Sequence, residues 1–386
     1  MGKAVIVSAV RTAVGKHAGQ WTSVSSENLA AATIKEAVIR SKVDPKEIED
    51  VVYGNIYGPH GNHARIASLI AGIPVEAAAT TVDRQCGSGT QAIINAVLHI
   101  EAGYGDVFVA GGVEHMTLTP YQLEKSPAYS WVPPRFMPSR LSIDEIGNPP
   151  MPQTADILAK QKGVDRKDCD EWACISQSRA SKAVANGTFK DEIVPIPVKT
   201  RAGVFADVAV DECPRPNTTL EDLAKLKPLY EGGVTTAGNA CPRSDGAAAL
   251  VIVSEERAKA FGLKPLARVR TFAVAGLDPN IMGYGPVPAT TKALKRSGLS
   301  IKDIDVTEMN EAFAGQFVPC LRDLNLDPEK TNPNGGAIAL GHPLGGTGAV
   351  LTVKLLYEMQ RKDYSLGLVT MCIGGGQGMA VIYERC

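Results

Sequence analysis

Residues 81–89 read Thr-Val-Asp-Arg-Gln-Cys-Gly-Ser-Gly and join a predicted strand to a predicted helix. Residues 75–82 are small and apolar and include threonines, which favours a strand. The polar side chains of residues 89–102 lie mainly on one narrow stripe, which is typical of a largely buried helix. Cys86 therefore precedes a helix N-terminus, where unpaired N–H groups and the helix dipole stabilise a thiolate. A single buried cysteine is more often inert, but this position predicts a nucleophile.

Three segments nearer the C-terminus have a similar character. His342 lies in the glycine-rich run 334–348, which precedes a predicted helix over 349–360, and Cys372 follows an expected strand and begins the run Cys-Ile-Gly-Gly-Gly. Asn310 lies in the run Glu-Met-Asn-Glu-Ala-Phe. Small residues beside these side chains let a substrate approach the backbone closely. Four such segments predict one active site that is built from distant loops.

These four segments, their order and the N-terminal run Val5–Thr12 resemble the thiolase family of acetyl-CoA acyltransferases over essentially all 386 residues. The resemblance implies an α/β fold in which two similar halves form five layers, αβαβα, with an inserted loop domain over the active site. We expect residues 1–117 with 245–266 to form the first half, 118–244 the loop domain and 267–386 the second half. A glycine turn, a helix and a strand recur in both halves, which agrees with two β-α-β units.

The resemblance also implies a reaction, the reversible cleavage of a 3-ketoacyl-CoA by CoA to acetyl-CoA and a shortened acyl-CoA. Cys86 would carry the acyl group, and His342 would deprotonate Cys86 or the incoming CoA thiol. Cys372 would exchange the proton on the α-carbon. The N–H groups of Cys86 and Gly374 would form one oxyanion hole, and Asn310, through a bound water, would form a second with His342.

Further residues are expected to contact the substrate, with Arg215 near the CoA phosphates and others along the pantetheine or acyl group. They are Arg215, Ala237, Ala240, Cys241, Met282 and Phe313. Coenzyme A is a substrate in this reaction, and the resemblance implies neither a metal nor a redox cofactor. It also implies a homodimer or homotetramer.

The sequence leaves other functions open. An acetoacetyl-specific biosynthetic acetyltransferase usually has His-Met-Gly where Pro150-Met151-Pro152 stands, and the run 282–288 resembles the degradative branch, so a broad-chain 3-ketoacyl-CoA thiolase is favoured. Decarboxylating condensing enzymes of the ketoacyl synthase type have histidine or asparagine in place of Cys372. A dinucleotide-binding dehydrogenase would use the G-x-G-x-x-A run at 87–92 with Glu114. A non-catalytic acyl-CoA carrier would be expected to lack at least one of the catalytic residues.

Some positions depart from the usual family pattern. Cys241 stands where a serine is usual, and the following Pro242-Arg243-Ser244 replaces small or polar residues. His115 also replaces a common serine. None of these changes removes a catalytic group, but contacts to pantetheine are expected to differ around Cys241.

Bulk composition excludes some functions. A net charge of −1 gives no overall attraction to nucleic acid, and no run of eighteen apolar residues is available to span a membrane. The eight cysteines are dispersed without a Cys-x-x-Cys pair, which argues against a disulfide framework or a zinc site and favours the reducing cytoplasm. His60 and His63 have no nearby cysteine or carboxylate in the sequence, so we interpret them as part of a polar loop.

Overall fold

A computed structural model describes residues 3–129, 131–199 and 203–386. The strands of these residues are β1 (Ala4–Arg11), β2 (Gly15–Lys16), β3 (Asp50–Gly54), β4 (Ala78–Val82), β5 (Val107–His115), β6 (Ile196–Lys199), β7 (Phe205–Val208), β8 (Ser244–Ser254), β9 (Ala267–Gly276), β10 (Val306–Met309), β11 (Leu366–Ile373) and β12 (Gln377–Arg385). The helices are α1 (Ser26–Ser41), α2 (His63–Ile70), α3 (Ser88–Glu101), α4 (Met151–Gln161), α5 (Arg166–Ala185), α6 (Leu220–Ala224), α7 (Glu255–Ala260), α8 (Pro286–Ser297), α9 (Ala314–Asp323), α10 (Ala337–Leu340) and α11 (Leu344–Lys362).

Two half-sheets meet edge to edge. The first has the order β4-β3-β5-β8-β1 and the second β9-β12-β11-β10, and Ile6 of β1 pairs with Ala267 of β9 where they join. Strands β3, β4 and β5 are parallel, and so are β10 and β11. Parallel neighbours need a crossover connection, which α3 supplies before β5 and α11 supplies before β11. The two β-α-β units expected from the sequence are therefore present.

Successive side chains along a strand point to opposite faces of the sheet and so belong to different layers. Leu250 of β8 and Met371 of β11 belong to one core that surrounds α3 and α11. Val251, next to Leu250, and Leu368, three residues before Met371, face the opposite way. Val251 packs in a core with α1 and Leu368 in a core with α8 and α9. The order is thus outer helices, half-sheet, central helices, half-sheet, outer helices, which confirms the predicted αβαβα arrangement.

Glycines bring the two central helices into direct backbone contact. A Cβ atom at Gly348 of α11 would lie 2.1 Å from Oγ1 of Thr90, and one at Gly89 of α3 would lie 2.9 Å from the backbone nitrogen of Ala349. Any larger side chain would force the helices apart. This contact matters for the site because Cys86 precedes α3 and His342 precedes α11.

Two predicted elements differ from the structure. Helix α11 begins at Leu344, so residues 345–348 are helical and not part of a turn, because close packing against α3 outweighs the poor helix propensity of glycine. The strand expected over 75–82 is only β4, whose residues are half-buried or exposed because β4 is the edge of the sheet.

The segment 118–244 lies between the strands of the first half. Its residues before α4 are largely irregular, as predicted, and it then contains α4, α5, the antiparallel pair β6–β7 and α6. The helical pattern over 154–185 is divided into α4 and α5 around Gly163, which has a φ of +62°. The bounds given above for the three domains remain a prediction. Within the described residues, every helix is too short or too polar to cross a membrane.

Candidate active site

A tight turn presents Cys86 between β4 and α3. Gln85 has a φ of +46°, which is unusual for a residue with a side chain. The Asp83 carboxylate accepts the Gln85 N–H at 2.7 Å. The Ser88 hydroxyl accepts the Arg84 N–H at 2.9 Å and donates to the Gln85 carbonyl at 2.6 Å. These bonds hold the turn in its strained conformation, so the position of the thiol is fixed by the backbone.

His342 reaches Cys86 from the other half of the molecule. Its Nε2 lies 3.3 Å from the Cys86 sulfur, and its Nδ1 lies 2.6 Å from Oγ1 of Thr347, one turn along in α11. Its backbone N–H donates to the Ser244 hydroxyl at 3.1 Å. Gly341, with a φ of +105°, allows this approach, since a Cβ there would lie 2.4 Å from the same hydroxyl. Ser244 thus fixes the backbone of His342 and Thr347 fixes its ring, with Nε2 facing the thiol.

Burial keeps both partners neutral. It lowers the pKa of His342 to about 4 and raises the pKa of Cys86 to about 11. The N–H groups of Gly374 and Cys86 act on the sulfur and lower its pKa, but they do not offset burial. The expectation that a helix end stabilises the thiolate is therefore not met, because removal of the thiol from water is the larger effect. A neutral imidazole beside a neutral thiol can act as a general base when the thiol attacks.

Asn310 approaches the same imidazole. Its Nδ2 lies 3.4 Å from Nε2 of His342, and its backbone N–H donates to the Thr370 carbonyl at 3.0 Å. Its Oδ1 is buried and accepts no hydrogen bond from the described residues. The amide therefore has hydrogen-bonding capacity that a polar ligand or a bound water would use.

Glu311 fixes the loop that bears Asn310. Its buried carboxylate accepts hydrogen bonds from the indole of Trp172 at 2.9 Å, the hydroxyl of Ser176 at 2.6 Å, the amide of Asn332 at 2.7 Å and the backbone N–H of Ile338 at 3.1 Å. Two of these donors are on α5 and one is on α10. The Glu311 carboxylate thus connects the loop that bears Asn310 to α5 of the inserted segment and to α10, which shortly precedes His342.

Cys372 lies at the end of β11, opposite Gly378 of β12. It is 1% exposed and packs in an apolar cluster with Met282 and Phe313. Burial raises its pKa well above the ordinary value, and the neighbouring thiols of Cys86, Cys320 and Cys241 raise it further. The structure therefore brings Cys372 close to Cys86 but in a drier environment.

The predicted substrate residues form two groups. Arg215, Ala237 and Ala240 line a cavity of about 220 Å³ together with Lys16, whereas Met282 and Phe313 surround Cys372. Ala240 belongs to both groups because it also packs against the apolar cluster. The two groups therefore meet beside the thiol of Cys372.

Cys241, the remaining predicted substrate residue, follows Ala240, the residue at which the small cavity and the apolar cluster meet. Its backbone N–H donates to the Ala312 carbonyl at 3.0 Å. Burial raises the pKa of its thiol to about 12, and the neighbouring Cys86 contributes to that rise. A neutral thiol thus lies close to Cys86.

Two positioning residues were not singled out from the sequence. Ser244 and Thr347 hold His342, yet a hydroxyl in a glycine run gives only a weak signal before its partner is known. The position of Thr347 five residues after His342 could have suggested it, had the start of α11 been placed correctly.

Glu114 has a different role from the one a dinucleotide site would give it. Its carboxylate accepts the N–H groups of Tyr57 and Gly345, both at 3.1 Å, and burial raises its pKa to about 7. The space beside Gly89 is occupied by α11. Both Glu114 and the glycine turn are therefore occupied by contacts within the protein. A dinucleotide has no open site at this position, which argues against a dehydrogenase.

The histidine pair in the loop before α2 does not form a cluster with other ligands. His63 is 2% exposed at the start of α2, and His60 lies 3.7 Å from Glu27 at the surface. The expectation that this whole pair belongs to a polar loop is wrong for His63, which is helical and buried. In the described part of the chain, no three His, Cys, Asp or Glu side chains are grouped as a metal site would require.

Comparison with known proteins identifies the family. Residues 4–256 match the N-terminal domain of thiolase and residues 263–385 match the C-terminal domain. The chain is 47% identical to a 3-ketoacyl-CoA thiolase of Marinobacter nauticus, over 99% of this chain and 98% of that protein. It is 45% identical to a 3-oxoadipyl-CoA/3-oxo-5,6-dehydrosuberyl-CoA thiolase of Escherichia coli K12, over the whole of both chains.

A solved structure agrees with these sequence matches. Human mitochondrial 3-ketoacyl-CoA thiolase in complex with CoA superposes with a TM-score of 0.93 at 40% identity, over 100% of this chain and 98% of that one. The sequence matches in both halves of the chain and the superposed fold thus indicate the same family. The chain belongs to the thiolase family and is an acyltransferase.

Proposed function

We propose that this thiolase cleaves 3-ketoacyl-CoA with CoA through an acyl group on Cys86. The observation that carries the proposal is the 3.3 Å contact between the Cys86 sulfur and Nε2 of His342. The N–H of Gly374 lies against the same sulfur, and a second thiol, Cys372, is nearby. One nucleophile, one base and one separate acid are the groups that the reaction requires.

The first step is acyl transfer to the enzyme. The Cys86 proton moves to Nε2 of His342 while the sulfur attacks the ketone carbon of the substrate. A resting pair that is neutral at pH 7 favours this concerted transfer over a preformed thiolate. The N–H groups of Cys86 and Gly374 are assigned to the oxyanion that forms, because backbone donors cost no reorganisation during the reaction.

The second step breaks the bond between the α-carbon and the former ketone carbon. Its electron pair becomes the enolate of acetyl-CoA. The Nε2–H of His342 and the Asn310 amide, through a bound water, are assigned to the enolate oxygen, where a neutral amide avoids charge repulsion. Cys372 then gives its proton to the α-carbon. Its dry surroundings suit this role, since they keep the thiol protonated until a carbanion is formed.

The third step returns the enzyme to its starting state. The proton that His342 took from Cys86 first passes to the Cys372 thiolate, so that the imidazole is neutral again. The thiol of a second CoA then gives its proton to His342 and attacks the acyl carbonyl. The displaced Cys86 sulfur takes that proton back from His342 as the shortened acyl-CoA leaves. Arg215, Ala237 and Ala240 are assigned to CoA because they line a cavity beside Cys241, and Cys241 in turn adjoins the thiols. Met282 and Phe313 are assigned to the small group at Cys372.

The degradative direction with broad chain length is favoured over acetoacetyl-specific synthesis. Met151, in the segment where the two branches differ, packs against the cluster around Cys372. Its thioether also lies 3.9 Å from where a Cβ on Gly374 would stand. This segment therefore touches the acyl end of the site. A role in β-oxidation of fatty acids follows from this direction.

Two further properties are part of the proposal. A homodimer or homotetramer is supported by the partly exposed edge strand β4 and by the fully exposed rings of Tyr129 and Trp131, which a second copy would cover. A cytoplasmic location is supported by the eight cysteines, all of which are free thiols.

The test is to incubate the protein with a 3-ketoacyl-CoA and CoA, to measure both acyl-CoA products and to map trapped acyl groups by mass spectrometry. We expect acetyl-CoA and the shortened acyl-CoA in equal amounts, with label on Cys86 alone. Labelling of another residue, or products without any covalent intermediate, would contradict the proposed mechanism. The ratio of rates for acetoacetyl-CoA and longer substrates decides between the two branches.

A further inference from the structure

A second, larger cavity adjoins the catalytic cluster on another side. It has a volume of about 730 Å³, within the range of small-molecule sites. Asp83 and Gln85 of the Cys86 turn line it, as does Leu141, whose Cδ1 lies 3.0 Å from where a Cβ on Gly374 would stand. Arg243, next in sequence to the Ser244 that holds His342, lines it as well. The cavity therefore touches residues beside all three groups of the thioester site.

None of the residues assigned to CoA lines this cavity. Arg215, Ala237 and Ala240 line the smaller one. A 3-ketoacyl-CoA extends from its reacting carbons in two directions, the pantetheine on one side and the acyl chain on the other. With pantetheine in the smaller cavity, the larger one is the space for the acyl chain. This assignment rests on the proposed function.

The walls of the acyl cavity are mostly apolar but carry two cations. Apolar contacts come from side chains such as Ile56, Met116 and Phe136, and the cations are Arg140 and Arg243. Among the described residues that line it, Asp83 is the one with an acidic side chain, and its Oδ1 accepts the Gln85 N–H in the Cys86 turn. An acyl chain that ends in a methyl group would use the apolar wall but would leave both guanidinium groups unused.

The two arginines differ in what already occupies them. Arg140 lies 3.8 Å from the Asp144 carboxylate and donates to the Ser142 carbonyl at 3.1 Å. Arg243 donates to the Met116 carbonyl at 3.3 Å and has no carboxylate partner among the described residues. Five N–H donors on a planar cation with one long hydrogen bond suit a carboxylate, which binds guanidinium in a bidentate manner.

We propose that the larger cavity binds the acyl chain of the substrate, and that Arg243, assisted by Arg140, binds a carboxylate at its far end. The preferred substrates are then 3-ketoacyl-CoA thioesters of dicarboxylic acids. The chemistry at Cys86 is the same as for a methyl-ended chain. Only the recognition of the terminal group differs.

The test compares two substrates of equal chain length, one ending in a carboxylate and one in a methyl group, over a ladder of lengths. For the unchanged protein, kcat/KM is expected to favour the carboxylate substrate, with the largest preference at one chain length. Arg243→Gln is expected to lower kcat/KM for the carboxylate substrate about ten- to hundred-fold, the usual worth of a hydrogen bond to a charged group. The methyl substrate is expected to change less than two-fold. Arg243→Lys should retain part of the preference because it retains the charge.

A matched control is Arg296→Gln. Arg296 is also exposed and also donates to one backbone carbonyl, that of Phe272 at 2.9 Å, but it lies on α8. This variant should not change either rate, and the thermal midpoints of all variants should agree with that of the unchanged protein.

Three outcomes would overturn the inference. An equal loss for both substrates in Arg243→Gln would place Arg243 on a CoA phosphate. No loss for either substrate would place it outside the site. Cleavage of methyl substrates alone by the unchanged protein would remove the carboxylate site while leaving the thiolase function intact. The proposed function fails separately, if neither substrate is cleaved and Cys86 is not acylated.

Discussion

Cys86 and Cys372 are both cysteines beside glycines, one in the turn that follows β4 and the other near the end of β11. Their surroundings are nevertheless different. Cys86 has an imidazole at 3.3 Å and two backbone N–H groups acting on its sulfur. Cys372 has Met282, Phe313 and two alanines around it. The first environment accepts a proton and stabilises charge, and the second resists charge. The two environments support the proposed roles, that of nucleophile for Cys86 and that of proton donor for Cys372.

The largest effect is expected from the change Cys86→Ser. A hydroxyl is far less acidic and less nucleophilic than a thiol, so acyl transfer should fall by about four orders of magnitude or more. Stoichiometric labelling with a radioactive acyl-CoA measures it. If labelling survives in this variant, Cys86 is not the nucleophile and the contrast between the two thiols is lost.

The change Cys372→Ala should separate the two roles. Acylation of Cys86 by an acyl-CoA should stay within about three-fold, whereas exchange of the α-proton of acetyl-CoA with solvent deuterium should fall by about a thousand-fold, as for loss of a general acid–base group. Cys174→Ala, on the half-buried face of α5, is the matched control. Unchanged deuterium exchange would assign the proton transfer to another group.

Alkylation by iodoacetamide should distinguish the thiols chemically. Only the thiolate reacts, and burial raises the pKa of Cys86 to about 11, so its rate should rise about tenfold per pH unit through neutral pH. Cys372 is more deeply buried, and burial raises its pKa well above the ordinary value, so its rate should be lower than that of Cys86 at every pH. Peptide mapping by mass spectrometry measures both rates. Equal rates, or a plateau for Cys86 near pH 7, would show that its thiolate is stabilised after all.

The smallest effect concerns Thr347, which touches neither thiol. Its Oγ1 at 2.6 Å from Nδ1 of His342 favours the tautomer with a free Nε2. Thr347→Val should lower the rate of acylation about tenfold, the kinetic equivalent of one hydrogen bond, with KM for CoA unchanged. Thr347→Ser retains the hydroxyl and should restore the rate. If serine does not restore it, the threonine acts through packing alone.

Much of the fold could be predicted because the family motifs lie in local segments. The residues themselves predict that α3 is a largely buried helix, that a strand precedes Cys372 and that two β-α-β units are present. The structure confirms all of these. The start of α11 could not be predicted, because four residues with three glycines favour a turn until α3 is known to lie against them. The burial of His63 was also missed, because its neighbour Glu27 on α1 is distant from it in the sequence.

The sequence by itself determined the family and the candidate catalytic side chains, because the types and order of the residues carry that information. Only the tertiary structure decided their protonation states, the hydroxyl groups that hold His342 and the cavity in which Arg243 lies. Local residues indicated an easily ionised thiol, yet the assembled core gave a neutral one. The physical reason is that removal of water by residues distant in the chain outweighs the short-range field of a helix end.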